Sequence, residues 1–228
     1  MNRVELQSLA LKPDLFPQTI ADRTRKVYDR LSFVYPASTF FFHSKAHKAV
    51  IEDAAIADGS KVLEVATGSG EMFRRLLQKN RSGVNVGVDL SPKMAARTQR
   101  QAHSEFKGTR AHCQAVDARQ LPFRDDSYDS VVCCYLLELL SQDDIVSVLA
   151  EFHRVLRHRG RLALVLIGEN TEFFNALYRV AGSVAPAFWG RQVEQSVPAL
   201  IKDLDFRILS DRMVRQGLYP SRVLTAQK

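Results

Sequence analysis

Residues 62–71 read Val-Leu-Glu-Val-Ala-Thr-Gly-Ser-Gly-Glu, and a second apolar run from Val84 to Val88 ends in Asp89. A buried strand entering a glycine-bearing turn, then a helix, then a strand that ends in a carboxylate can hold a nucleoside-bearing cofactor. Gly68 and Gly70 let backbone approach a ligand closely, and a helix starting near Glu71 presents its free amide groups to the same point. A pyrophosphate would suit such a cradle. Two features argue against one here. Phe73 stands where the dinucleotide fingerprint has its third small residue, and Glu64 and Glu71 bring negative charge to the turn.

Carboxylates repel phosphate and attract cations. At roughly 4 Å and intermediate effective dielectric the attraction is a few kcal/mol before desolvation, enough to choose between cofactors. An ammonium together with a sulfonium fits that pattern, which is the charge distribution of S-adenosylmethionine. Asp89, at the carboxyl end of its strand, is placed to accept two ribose hydroxyls; the alternative is a helix cap shared with Ser91. Asp117 follows the third predicted strand and is either an acceptor for the adenine exocyclic amine or a turn residue. Asp129 shapes the start of the fourth strand.

Strand-like and helix-like segments alternate from about residue 46 onward, which predicts an α/β fold with parallel strands and helices on both faces of the sheet. Val62 to Ala66, Val84 to Val88, His112 to Val116, Ser130 to Tyr135 and Leu162 to Ile167 are the strands, apolar enough for burial on both sides. Ser91-Pro92 and Ser141-Gln142-Asp143-Asp144 start helices, and Gly160 after a basic turn ends one. Ile145, Val148, Leu149, Phe152, Val155 and Leu156 form a core stripe at helical spacing. Residues 172–189 read as an inserted helix and loop. Phe206 to Arg212 and Tyr219 to Ala226, separated by Arg215-Gln216-Gly217, predict an antiparallel hairpin at the end of the sheet.

At 228 residues and 25.7 kDa the chain supports one substantial core and is predicted to be a single decorated domain. Its net charge of +7 would attract anionic partners, yet the excess is spread thinly over Arg74-Arg75, Lys79 to Arg81, Arg97 to Arg100 and Arg154 to Arg161. Aromatic residues do not interleave with these runs, which disfavours nucleic acid as a partner. Cys113, Cys133 and Cys134 lie in apolar runs and read as reduced core thiols, with no metal-ligand spacing to His103, His112 or His153, so no metal is predicted. The first residues lack the apolar core of a secretion signal, and no run approaches the roughly 20 apolar residues of a membrane span. These features predict a cytoplasmic protein.

Four motifs in order, EVATGSGE, VGVDLSPKM, AVDARQLPFRDDSYDSVV and EFHRVLRHRGRL, resemble those of the class I S-adenosylmethionine-dependent methyltransferases. The narrower likeness is to the ubiquinone/menaquinone C-methyltransferase group, carried by Ala66 in place of the usual first glycine, Gly70-Glu71, Leu121-Pro122-Phe123, the opening Val27 to Ser32 with Tyr35, and the ending from Gly217 to Lys228. The resemblance implies a Rossmann-like, seven-stranded, mostly parallel sheet with an antiparallel C-terminal hairpin strand. It implies an N-terminal helical cap over residues 1–45 and a cofactor-binding domain over 46–228 with an inserted lid at 169–195. Glu64, Ala66, Gly68, Ser69 and Gly70 would surround the methionine moiety of S-adenosyl-L-methionine, Asp89 and Leu90 the ribose, and Asp117 with Ala118 the adenine. Cys134 would lie near the sulfonium through its backbone, or serve with Cys133 in packing.

Two positions depart from the family. His158-Arg159-Gly160 replaces Pro-Gly-Gly before the fifth strand, and Glu138-Leu139 replaces the Arg-Asn pair of the quinone enzymes, which touches substrate choice. Methyl transfer is an in-line displacement that needs positioning more than a base. If the acceptor carries a proton to be lost, Tyr35, His43, His47 and Glu138 are the candidates, against readings of both histidines as helix surface and of Glu138 as solvated. Phe33, Tyr35 and Phe40 to Phe42, with Phe173, Phe174, Tyr178 and Trp189, either line an apolar chamber for a small hydrophobic or aromatic acceptor or pack the decorations onto the sheet. Peripheral contact with a membrane that holds a lipid-like acceptor is a further reading. A non-catalytic cofactor-binding accessory protein and a nucleic-acid methyltransferase are the alternatives; against the latter, Cys134-Tyr135-Leu136-Leu137 stands where an Asn/Asp-Pro-Pro-aromatic tetrapeptide would be.

Overall fold

A computed structural model describes residues 35–168, 193, 195–215 and 220–228, with side chains from Lys45 onward. Tyr35 and His43 therefore contribute backbone only, and the aromatics of the predicted lid and of the segment before Tyr35 lie outside the described residues. Seven strands form one sheet: β1 (Lys61–Val65), β2 (Val84–Asp89), β3 (Arg110–Ala115), β4 (Tyr128–Cys134), β5 (Leu156–Ile167), β6 (Arg207–Val214) and β7 (Ser221–Gln227), in the spatial order β3-β2-β1-β4-β5-β7-β6. The first five are mutually parallel, and β7 enters antiparallel between β5 and β6. The hairpin read from residues 206–226 is present.

Helices cover both faces because the central strands alternate apolar side chains to both. Leu63, Val65, Val86, Val88, Val131, Leu162 and Leu164 point to one side, where Ile145, Val148, Leu149 and Phe152 of α4 (Gln142–Val155) pack on them. Val62, Val132, Ala163 and Val165 point to the other, under Ala46 and Val50 of α1 (Tyr35–Ala54) and Met72, Phe73, Leu76 and Leu77 of α2 (Glu71–Lys79). Truncating a fully buried residue such as Leu149 to alanine would cost about 2–5 kcal/mol. The helix α1 runs unbroken through residue 45, where the sequence placed the edge of the cap.

The helix starts follow local chemistry. Ser91 Oγ accepts the Met94 N–H at 3.3 Å, with Pro92 in the first turn of α3 (Pro92–Glu105); Ser141 Oγ accepts the Asp144 N–H at 3.2 Å at the start of α4. A further helix among the described residues is α5 (Val197–Asp203). Gly160 does not end α4. That helix stops at Val155 and β5 begins at Leu156, because residues 156–160 find strand partners: Tyr128 pairs with Leu156, Gly160 C=O accepts from the Lys228 N–H, and the register slips before Arg161 meets Ser130.

The two edge strands are exposed, and for β3 this departs from the burial on both sides read from the sequence. β3 is an edge strand on which only Cys113 is buried, and β6 is the opposite edge, bearing the Arg212–Asp53 and Arg222–Asp211 ion pairs. Charge at an edge discourages further strand pairing. Between β1 and β4 the chain direction of travel across the sheet reverses, so the loops after these strands diverge and leave a crevice at their carboxyl ends.

Candidate functional site

That crevice is a cleft partly open to solvent. Its walls come from the ends of four strands: Val65 and Ala66 after β1, Val88, Asp89 and Leu90 at β2, Val116, Asp117, Ala118 and Arg119 after β3, and Leu136 and Leu140 after β4, with Val148 of α4 behind. Most of this lining is apolar. Its charged members are Asp89, Asp117 and Arg119.

The turn after β1 is built from left-handed backbone. Ala66 has φ 65°, Gly68 φ 48° and Gly70 φ 84°. Glycine takes such a conformation freely, whereas alanine does so at a cost of roughly 1 kcal/mol or more, and strain of this kind gathers at functional turns. Ala66 is held there because its N–H and that of Thr67 both donate to Val88 C=O, at 2.8 and 3.1 Å. A side chain on Gly70 would press on Gln101 Oε1 at 2.5 Å and Thr98 Oγ1 at 3.1 Å, whereas the nearest atom to one on Gly68 is the neighbouring Ala66 carbonyl oxygen at 4.0 Å. Gly70 is thus needed for packing against α3, and Gly68 faces open space. Ser69 sits half-buried between them.

Asp89 is fixed by backbone. Its Oδ2 accepts the Gly68 N–H at 2.8 Å and its Oδ1 the Ser91 N–H at 2.9 Å. The capping contact with Ser91 and a ligand-binding role are compatible, since a carboxylate offers about four acceptor sites. Glu64 lies deeper, 2% exposed, and its Oε2 has no hydrogen-bond partner among the described residues. Burial, with the Asp89 charge adding to it, pushes its carboxyl well above the ordinary range. Thr67 Oγ1 is likewise buried without a partner. A buried, unpartnered acid is costly unless something cationic or proton-bearing meets it. Glu71 does not add to this charge, contrary to the sequence reading: it is ion-paired to Arg74 and Arg75 on α2, at 3.2 and 2.9 Å.

On the adenine side as read from sequence, Asp117 is clamped by Arg119. Although burial alone would raise it, the Arg119 hydrogen bonds and charge hold its carboxyl below the usual value. Arg119 also reaches Asp144 at 3.1 Å. Asp129 serves the start of β4, accepting the Lys61 N–H at 2.7 Å and pairing with Arg157. The basic runs Arg74-Arg75 and Arg154 to Arg157 are thus largely committed to ion pairs on the surface.

At the carboxyl ends of β4 and β5 a second polar group assembles. His47 is 3% exposed and its ring lies 6.1 Å from that of Tyr135. Tyr135 Oη and Ser221 Oγ are 2.7 Å apart, and Tyr135 itself is left-handed at φ 56°. Glu138 is 1% exposed, and its Oε1 accepts the Ile167 N–H at 2.5 Å. Two sequence readings are corrected here. His47 is not on a helix surface, because the α1 face that carries it packs onto the sheet, and Glu138 is not solvated, because it closes the end of β5. Cys134 is half-buried beside them and Cys133 is fully buried on the other face; burial pushes both thiols up, so neither is a ready thiolate.

Sequence reasoning missed Arg119, Tyr135 and Ser221. The Asp-x-Arg spacing of Asp117 and Arg119 is a signal that points to the first. Nothing local marks Tyr135 or its pairing across 86 residues.

The turn, Glu64 and Asp89 fit a ligand with a ribose and a cationic end, as S-adenosylmethionine has, better than one with phosphates. Residues 62–160 match the family model described as a methyltransferase domain. The ubiquinone/menaquinone biosynthesis C-methyltransferase of Geotalea uraniireducens is 26% identical over 151 residues, 65% of this chain and 63% of that protein. The demethylmenaquinone methyltransferase of Thermotoga maritima is 32% identical over 155 residues, 67% and 62%. The chain thus spans a little over three-fifths of the length of these two relatives. Among solved structures, the magnesium protoporphyrin IX methyltransferase of Synechocystis superposes with TM-score 0.73 at 20% identity, covering 92% of this chain and 100% of that one. A cyclase has the same fold, with TM-score 0.70 at 16% identity, covering 90% and 96%. Fold alone therefore does not fix the chemistry. In sheet topology and in sequence, the chain resembles the class I S-adenosylmethionine-dependent methyltransferases, and within them the ubiquinone/menaquinone C-methyltransferase group.

Proposed function

We propose that this chain is a methyltransferase that uses S-adenosyl-L-methionine and acts on a small hydrophobic or aromatic acceptor. The observation that carries the reading is Glu64: a buried carboxylate with an unpartnered oxygen, beneath a left-handed turn and beside Asp89. A cationic donor end would restore its charge, whereas a polyphosphate would be repelled. When bound, the cofactor supplies a methyl group on a sulfur that is already a good leaving group.

The protein's share is binding, orientation and exclusion of water. Asp89, held by the Gly68 and Ser91 amides, would meet the ribose together with Leu90, and the walls from Val116 to Ala118 with Leu136 would enclose the base. Ala66, Ser69 and Gly70 shape the turn around the methionine end, and the backbone of Cys134 borders it. The acceptor would sit at the carboxyl ends of the strands, where His47, Tyr135 and Glu138 supply polar groups on an otherwise apolar rim. Among the base candidates, His47 and Glu138 stand there; Tyr35 and His43 belong to the N-terminal half of α1.

The relatives' names point to quinone rings, and an aromatic acceptor agrees with the aromatic content of the flanking segments. Glu138 in place of the quinone enzymes' arginine favours an acceptor other than theirs. No helix among the described residues is long and apolar enough to cross a membrane. Titration with S-adenosylhomocysteine tests the reading: low-micromolar binding that Asp89→Ala removes supports it, and no binding to the wild type contradicts it. Transfer of labelled methyl to a panel of quinols, catechols and fatty acids then sorts acceptor classes.

A further inference from the structure

The positive charge that reads as scattered along the sequence is gathered by the fold. Residues 71–116, which form α2, β2, α3 and β3, hold nine Lys and Arg against three Asp and Glu, and so carry +6 of the chain's net +7. Two of the three acids are taken locally: Glu71 pairs with Arg74 and Arg75, and Glu105 pairs with Arg74 at 2.7 Å. The third, Asp89, belongs to the cleft. Lys79, Arg81, Lys93, Arg100 and Lys107 are exposed, and none of them pairs with a carboxylate among the described residues. Elsewhere the pattern is the reverse: Arg119, Arg154, Arg157, Arg212 and Arg222 each face an acid.

Lys93, Arg97 and Arg100 recur at i, i+4 and i+7 and so share one face of α3, a helix about 21 Å long, with Lys107 just past its end. Arg110, at the start of β3, donates to Ser82 C=O, which brings Arg81 beside it. The basic band therefore runs from the cleft rim, where Leu90 precedes α3, to the amino ends of β2 and β3. Asp58 is an acid beside that far end, and its two oxygens accept from Ser82 at 2.9 and 2.6 Å. No Phe, Tyr or Trp of residues 71–116 is exposed, so the band has no stacking platform for single-stranded nucleic acid. The exposed large apolar side chains, Val146, Leu209 and Met213, also lie outside it. We propose that this face docks the protein onto a bilayer rich in anionic phospholipid, by charge and without insertion. The choice of a bilayer rests on the reading of the acceptor as hydrophobic, because such a molecule partitions there and docking would hold the cleft rim near the headgroups.

Flotation of the full chain with vesicles of phosphatidylcholine alone, or with about one-third phosphatidylglycerol, tests this. Binding to the anionic vesicles at about 0.1 M salt, lost near about 0.5 M, and none to the neutral ones, is the expected result. Each basic residue at an anionic surface is worth about fivefold in partitioning, so Lys93→Gln, Arg100→Gln and Lys107→Gln together should weaken binding about 100-fold. Melting temperature and affinity for S-adenosylhomocysteine should stay at wild-type values in that triple variant. Arg124→Gln, Arg159→Gln and Lys202→Gln together remove as much exposed charge from outside the band and should change vesicle binding less than about threefold. Absence of vesicle binding, equal binding to both vesicles, or equal effects of the two triple sets overturns the proposal. Binding to a DNA or RNA duplex but not to vesicles, lost in the first triple variant, also overturns it and assigns the face to nucleic acid. Failure to bind S-adenosylhomocysteine while vesicle binding persists would strike the cofactor reading alone.

Discussion

Asp89 Oδ2 accepts the Gly68 amide at 2.8 Å, so the carboxylate that ends β2 also fixes the turn that ends β1. Two strand ends that are neighbours in the sheet are thereby locked into one binding surface. Replacing Asp89 by alanine removes the contacts to the Gly68 and Ser91 amides and, with them, the proposed ribose acceptor. Expected outcomes are a loss of about 1–3 kcal/mol in stability and more than about 100-fold weaker binding of S-adenosylhomocysteine. Asn, which keeps an acceptor for Gly68, should recover most of the stability and less of the affinity. Chemical denaturation and calorimetry separate the two.

Glu64 predicts a pH signature. Its carboxyl is raised in the folded protein, by burial first and by Asp89 second, so the folded state holds this proton more tightly than the unfolded chain does. The associated stability is present below the ordinary carboxylate range and is lost as pH rises through the folded-state value. Without ligand, Glu64→Gln should flatten that decline and raise the melting temperature at neutral pH. With S-adenosylmethionine the order should reverse, because the amide cannot answer a cation. Melting curves across pH 4 to 9, with and without cofactor, read both effects.

The turn itself offers a paired test. Ala66 at φ 65° should gain up to about 1 kcal/mol on replacement by glycine, with cofactor affinity changed little. Gly70→Ala combines left-handed backbone with a close approach to Gln101 and Thr98, and should cost about 1–3 kcal/mol and loosen the turn.

Much of this arrangement was legible in the sequence because it is local. Five strands announce themselves as apolar runs and the last two as a hairpin about Arg215-Gln216-Gly217, Ser91 and Ser141 as caps, and the turn by its glycines. What escaped notice depends on contacts far apart in the chain. Nothing near His47 says that its face of α1 will be covered by the sheet, and nothing near Glu138 says that an amide 29 residues later will seek it. The stretch from Leu156 to Gly160 resembled a helix end because its basic residues were counted without their strand partners. Glu71 resembled a cofactor contact for the same reason: Arg74 and Arg75 neutralise it from one turn away.

The acceptor side is open to a separate test. Tyr135→Phe removes the hydroxyl that meets Ser221 and should cost about 1 kcal/mol. It should leave the affinity for S-adenosylhomocysteine within about twofold, because Tyr135 is not part of the cleft wall. With an acceptor from the quinol and catechol panel, KM or kcat should change while cofactor binding does not.

The central claim is that the turn after β1 selects a cationic sulfur donor over a polyphosphate. A direct competition, with S-adenosylmethionine titrated against NADH and the NADH signal followed by fluorescence, tests it most plainly. Binding of S-adenosylmethionine at one site per chain, with no NADH binding at concentrations up to about a hundredfold above the dissociation constant of S-adenosylmethionine, is the expected result. Saturable NADH binding that S-adenosylmethionine cannot displace would contradict it.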